Sequence, residues 1–100
     1  MKRYRLSQKE EQAIVRCCKE HDADAIVYLY GSRADLSARG GDIDLLVVSE
    51  TLRFQDKLSI LANLKDLLGD QKIDLTILSH TKFSRDPFAQ SVTRVELTGS

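Results

Sequence analysis

Residues 30–48 read YGSRADLSARGGDIDLLVV, and this stretch decides how the rest of the chain can fold. The apolar run 25–30 leads into the pair Gly31 and Ser32, and a polar segment with two further glycines then runs to Asp42. We interpret the stretch as a strand, a tight turn that can grip phosphate, a short connection and a second strand that opens at Asp42.

Two carboxylates stand at the start of the second strand. Asp42 and Asp44 are one residue apart, and because side chains alternate along a strand they point to the same face. Ile43 and Leu45 then point to the opposite face, into a core. Carboxylates held this close repel each other unless a cation lies between them. A hard divalent ion suits such a position, and Mg²⁺ is the ion expected beside phosphates.

The flanking segments predict an α/β (α+β) fold. A capping-box pattern at Ser7 starts a helix that runs to about His21. Residues 51–68 have helical spacing, residues 72–78 read as a third strand, and Asp86 followed by proline starts a last helix. The expected architecture is a small mixed sheet of three or four strands with helices packed on one face.

Periodicity assigns the apolar side chains of these elements to a core. The expected buried stripe of the long helix consists of Phe54, Leu58, Leu61, Leu64 and Leu68. That of the last helix consists of Phe88, Val92 and Val95. Tyr28 and Tyr30 share one face of the first strand, where packing against the first helix is favoured over stacking on a nucleotide base. In the third strand Asp74 is a lone acid among apolar residues, an unusual place for a charge without a task.

Composition narrows the classes of function. One hundred residues without a linker predict a single domain, 1–100. Fifteen basic and fifteen acidic residues give zero net charge, which argues against direct nucleic-acid binding, because that requires a basic excess. No apolar run approaches the ~20 residues that span a bilayer, and the N-terminus has no signal-peptide core. Cys17 and Cys18 are adjacent and are interpreted as core residues of a cytoplasmic protein.

The order of these motifs resembles the signature of the DNA polymerase beta-type nucleotidyltransferase superfamily. The stretches YGSRA, GDIDLLV and QKIDLTIL are similar to the minimal nucleotidyltransferases, the MNT partners of HEPN toxins. The resemblance implies that Asp42, Asp44 and Asp74 are the catalytic acids and bind two Mg²⁺ ions, with Mn²⁺ as a substitute. It also implies that Gly31 and Ser32 hold the phosphates of a nucleoside triphosphate.

The same resemblance implies a reaction and a partner. AMP from ATP would be transferred to a tyrosine of a HEPN ribonuclease toxin, so that the protein acts as an antitoxin. Arg33 or Arg39 would contact the leaving pyrophosphate, with a solvated loop position as the alternative for each. We expect the acceptor to be brought by another chain, since 100 residues leave little room for an acceptor domain.

Two other functions stay open at the level of sequence. One is nucleotidyl transfer to a small molecule such as an aminoglycoside, which would need a pocket completed by a homo-oligomer. The other is an antitoxin that neutralises its partner by docking, without catalysis.

Overall fold

A computed structural model describes residues 4–38 and 40–99. In chain order the elements are α1 (Gln8–His21), β1 (Ile26–Tyr30), a 3-10 helix (Gly31–Ala34), β2 (Ile43–Val48), α2 (Phe54–Leu68), β3 (Ile73–Leu78), α3 (His80–Arg85), α4 (Pro87–Ser91) and β4 (Arg94–Leu97). The four strands are ordered β3-β2-β1-β4. β2 is parallel to β3 and antiparallel to β1, which is antiparallel to β4. The predicted α/β class and mixed sheet are therefore confirmed.

One face of the sheet, which we call the core face, is buried beneath α1 and α2. Along each strand, every second side chain points to this face, as the side-chain alternation of a strand predicts. Its fully buried members include Val27, Leu29, Ile43, Leu45 and Val47 from the strands, Ile14 and Cys18 from α1, and Ile60 and Leu64 from α2. Cys17 is also buried, so both cysteines are core residues as predicted.

The two ends of α1 are held by polar contacts. Ser7 Oγ accepts a hydrogen bond from the Glu10 backbone N–H at 3.0 Å, and the Glu10 carboxylate accepts one from the Ser7 N–H at 2.9 Å. This is the predicted capping box. At the other end, Nδ1 of His21 lies 3.0 Å from Oδ1 of Asp56. The contact ties the end of α1 to the start of α2. No helix in the described residues is both long and apolar enough to span a membrane.

The predicted buried stripe of α2 is only partly correct. Leu64 is buried, but Phe54 is 68% exposed and Leu58 is 51% exposed, while Ile60 is fully buried. Spacing alone indicated a stripe that was too long at its N-terminal end. The face that α2 buries is decided by where α1 and the sheet meet it, and that contact is not local in sequence.

The last predicted helix is shorter than its apolar spacing indicated. It begins as expected, with the Asp86 carboxylate accepting from the Ala89 N–H at 3.0 Å. However, α4 ends at Ser91, and Val95 lies in β4 opposite Leu29 of β1. β-branched residues favour a strand, and here β1 offers the hydrogen-bond partners that a strand needs.

The opposite face of the sheet, which we call the open face, carries the two short helices on its β1 side. The expected packing of helices on one face therefore holds for α1 and α2 but not for α3 and α4. The ring of Tyr28 stacks on Phe83 of α3, with centroids 5.3 Å apart. Tyr30 meets Phe88 of α4 edge to face at 5.7 Å. The prediction that these tyrosines pack against α1 is wrong, because α1 covers the core face. The aromatic pairs show where α3 and α4 attach.

Candidate active site

A row of polar side chains crosses the open face at one end of the sheet. Arg94 of β4, Tyr30 of β1, Asp44 of β2 and Asp74 of β3 are successive Cα partners. Directly paired residues of neighbouring strands present their side chains to the same face. The structure therefore places two of the predicted acids, Asp44 and Asp74, side by side on parallel strands.

The third predicted acid lies just outside the sheet. β2 begins at Ile43 rather than at Asp42, and Oδ2 of Asp42 lies 3.7 Å from Nζ of Lys72. Among residues 4–38 and 40–99, no three His, Cys, Asp or Glu side chains are gathered as ligands around one point. Asp42 would have to turn away from Lys72 to join the other two carboxylates, and it is exposed enough to do so.

The surroundings of Asp44 disfavour the charged form of its carboxyl. Burial raises the pKa of the Asp44 carboxyl, and the carboxylates of Asp74 and Asp42 raise it further, while Lys72 acts in the opposite direction. Like charges crowded in this way are stabilised when a divalent cation binds between them. Three carboxylates are also the oxygen donors that Mg²⁺ prefers. The residues present therefore fit a magnesium site in chemistry and in charge.

The backbone of Gly31 lies directly against the acids. Gly31 has φ +73°, and a Cβ built at this position would collide with the Asp44 carboxylate. A side chain is thus excluded both by the backbone conformation and by the available space. The predicted phosphate-gripping turn and the acid pair consequently adjoin each other, as the functional interpretation requires.

The loop after the 3-10 helix folds back onto Ser32. A Cβ built on Gly40 would lie 2.6 Å from Oγ of Ser32. Arg5 stabilises this contact between the loop and Ser32, because its Nη2 donates to the carbonyl of Ser32 at 3.1 Å and to that of Gly40 at 3.0 Å. One guanidinium therefore joins the 3-10 helix to the loop that follows it.

Arg33 is bound by the protein's own acceptors. Its Nη1 donates to the carbonyl of Arg5 at 3.0 Å, and its Nη2 donates to the carbonyl of Gly41 at 3.0 Å. The same Nη2 lies 3.4 Å from Oε1 of Gln71, and Nη1 lies 3.8 Å from the Glu10 carboxylate. Through these contacts Arg33 connects α1, the loop before β2 and the segment that precedes β3. The other arginine considered, Arg39, lies outside the described residues.

Sequence reasoning missed Tyr30 as a site residue. Burial raises the pKa of its phenol, a hydrogen bond with Thr76 acts in the opposite direction, and the charges of Asp44 and Asp74 raise it again. The phenol thus lies within the field of both acids. The available signal was its position immediately before Gly31, at the end of a strand that leads into the site. Arg5 gave no signal, because it precedes every recognised motif.

A cleft of about 500 Å³ opens beside the turn. It is lined by Tyr30, Gly31, Ser32, Asp35, Phe88 and Thr93, among others. This volume falls within the ~300–1,000 Å³ typical of small-molecule sites. The cleft joins the turn to the aromatic side chain of α4.

The comparison with protein families agrees with this geometry. The sequence model of the family described as "Polymerase beta, Nucleotidyltransferase" matches residues 12–95. The matched range includes the turn, Asp42, Asp44 and Asp74, and the first two residues of β4. No curated protein matches the chain.

Proposed function

Because the chain belongs to the polymerase beta nucleotidyltransferase family, we propose that it transfers AMP from ATP to a tyrosine of a HEPN-type ribonuclease toxin. It would thereby act as the antitoxin of that toxin. Nucleotidyl transfer in general follows from the family. The tyrosine acceptor and the toxin partner are supported by the similarity of YGSRA, GDIDLLV and QKIDLTIL to the MNT proteins. Residues 1–100 would form one minimal nucleotidyltransferase domain.

One structural observation supports the general part of the proposal, nucleotidyl transfer. Asp44 and Asp74 are paired on adjacent parallel strands, and the Gly31 backbone abuts the Asp44 carboxylate. A triphosphate held at this turn would bring its α-phosphorus toward the acids. Either feature alone occurs in many proteins, but their adjacency is what phosphoryl transfer needs, since positioning and charge stabilisation provide most of its catalysis.

Nucleotidyltransferase folds typically use divalent metal ions. We assign Asp42, Asp44 and Asp74 as the residues that would hold two Mg²⁺ ions, with Mn²⁺ as a substitute. When bound, these ions stabilise the charge on the attacking and leaving oxygens. The backbone N–H groups at Gly31 and the hydroxyl of Ser32 would bind the β- and γ-phosphates.

The transfer step balances with groups that the chain and its substrates supply. The acceptor tyrosine oxygen attacks the α-phosphorus of ATP, a new O–P bond forms, and the bond to the bridging oxygen of pyrophosphate breaks. The Asp74 carboxylate accepts the phenolic proton, and pyrophosphate leaves. The product is a tyrosine with a bulky anion. At an RNA-binding surface such an anion would repel the RNA phosphates and silence the ribonuclease.

We place this reaction in the cytoplasm, where the buried thiols of Cys17 and Cys18 remain reduced.

The test is to incubate the purified protein with a HEPN partner, ATP and Mg²⁺ and to measure the intact mass of the partner. We expect a gain of one or more adenylyl units, which Asp42→Ala and Asp74→Ala abolish. Asp66→Ala is the matched control, because Asp66 is an exposed acid on α2, and it should leave the mass gain unchanged.

Two results would point to the other functions. A partner that stays unmodified, yet is neutralised by both site variants, would show that docking is the mechanism. An adenylylated aminoglycoside beside an unmodified protein partner would make the acceptor a small molecule.

A further inference from the structure

We propose that the ring of Phe88 is the stacking platform for the base of the nucleoside triphosphate and gives the site a preference for purines. This inference rests on the proposed function, because it assumes that the triphosphate lies at Gly31 and Ser32. It extends that function by naming the residue that binds the base. The starting observation is that Phe88 is 59% exposed and lines the same cleft as the phosphate turn.

A singly exposed apolar side chain needs no explanation in itself, but the exposed ring of Phe88 lines the same cleft as Gly31 and Ser32. The ring is carried by α4, which is attached to the sheet through the buried side chain of Ala89 and through Arg94 of β4. Ala89, the next residue, is fully buried and its N–H binds the Asp86 carboxylate at 3.0 Å. Arg94 Nη1 donates to the Ala89 carbonyl at 2.7 Å. Phe88 is therefore presented to solvent by a well-held turn of helix, which limits the entropy lost on stacking.

Tyr30 connects this ring to the reacting centre. Its own ring meets Phe88 at 85° with centroids 5.7 Å apart, and the residue after it is Gly31. A nucleotide whose phosphates follow the turn and whose base enters the cleft must pass along Tyr30 toward Phe88. Asp35 and Thr93 line the same cleft and offer polar atoms to the edge of a base. The cleft thus combines an apolar face with a few polar groups, as nucleotide sites commonly do.

Stacking on an aromatic ring accepts any base, but its strength grows with the area of contact. A purine covers more of the Phe88 ring than a pyrimidine does. The expected order of affinity is therefore ATP above CTP, and both above inorganic tripolyphosphate, which has no base. The difference in affinity between ATP and tripolyphosphate measures what the nucleoside contributes. Phe88 should account for the part of this difference that comes from stacking of the base.

The chain contains a matched control for this residue. Phe54 is 68% exposed, but it lies on α2, which packs against the core face, and it does not line the cleft of the phosphate turn. Truncating Phe54 removes a similar apolar surface without touching the proposed base site. Any general effect of removing an exposed phenylalanine on solubility or folding appears in both variants.

The experiment is isothermal titration of ATP, CTP and tripolyphosphate into the full chain with Mg²⁺ present. We expect Phe88→Ala to weaken ATP binding about 5- to 100-fold, from the usual contribution of base stacking, and to leave tripolyphosphate binding unchanged. Phe88→Trp should retain ATP binding, whereas Phe88→Leu, which keeps an apolar side chain without a ring, should lose most of what Phe88→Ala loses. Phe54→Ala should behave as the parent protein does.

The inference is overturned if the parent binds ATP and tripolyphosphate equally well, or if Phe88→Leu and Phe88→Ala bind ATP as the parent does. Nucleotidyl transfer survives either result. If the parent binds neither ATP nor tripolyphosphate, the proposed function fails as well, and the two failures are thereby distinguished.

Discussion

Ile43 and Asp44 are neighbours in β2, yet they face opposite environments. Ile43 is fully buried beneath the helices of the core face, whereas Asp44 lies on the open face beside Asp74, where burial and like charge raise the pKa of its carboxyl. The alternation of side chains lets one six-residue strand contribute to the core and to the site. The difference teaches that neighbouring residues of one strand can serve the main core and a candidate site on opposite sides of the same backbone. Substitutions on the core face should therefore lower the stability of the fold, whereas substitutions of the acids on the open face should lower activity and leave stability unchanged.

The largest expected loss of stability comes from placing a charge on the core face. Ile43→Asp buries an ion without a partner, which costs several kcal/mol or more and should leave the domain unfolded. Circular dichroism and thermal melting measure this directly. The control is Ile43→Val, which should lower the free energy of unfolding by about 0.5–1.5 kcal/mol. A folded Ile43→Asp protein would show that the two faces are not separated as described.

An intermediate loss is expected at the rim, where Arg33 braces the loop. Arg33→Ala leaves the carbonyls of Gly41 and Arg5 without their donors, so we expect the free energy of unfolding to fall by about 1–3 kcal/mol. Arg16→Ala is the control, because Arg16 is exposed on α1, and its effect should stay within about 0.5 kcal/mol. Denaturant unfolding measures both. Equal stability of the two variants would contradict the bracing role.

The smallest change in stability, with the largest change in activity, is expected on the open face. Asp44→Asn removes one of several crowded carboxylates, so in the presence of a chelator the variant should melt at the same temperature as the parent or slightly higher. Nucleotidyl transfer should be lost. A melting temperature clearly below that of the parent would mean that Asp44 has a structural role, and the comparison of the two faces would then break down.

Local patterns in the sequence predicted the elements that depend on local physics. The capping box at Ser7 and the aspartate–proline start of α4 are satisfied within one turn of chain, and both are confirmed. The alternation around Ile43 and Asp44 is also local, and it assigned the core residue and the acid to the faces that the structure shows. The direct pairing of Asp44 with Asp74 is a finding of the structure, because it depends on the register between β2 and β3, which alternation within one strand does not specify.

The predictions that failed depended on contacts between distant parts of the chain. Val95 fits a helical stripe and a strand equally well, and only its pairing with β1 selects the strand. Phe54 fits the apolar spacing of α2, but the orientation of the helix against α1 leaves it exposed. Arg5 holds the site loop across 27 and 35 residues of sequence. No pattern in a single segment specifies such a contact.

The strand order has a consequence for how the site can move. Among the described strands, β2 is flanked on both sides, whereas β3 has one neighbour and lies at the edge of the sheet. Edge strands open locally at lower free energy than central ones, so the amides of β3 should exchange with deuterium before those of β2. We therefore expect the strand that carries Asp44 to open less readily than the strand that carries Asp74. In the proposed reaction, the spacing between the two carboxylates would adjust from the β3 side, while Asp44 keeps its register with the turn.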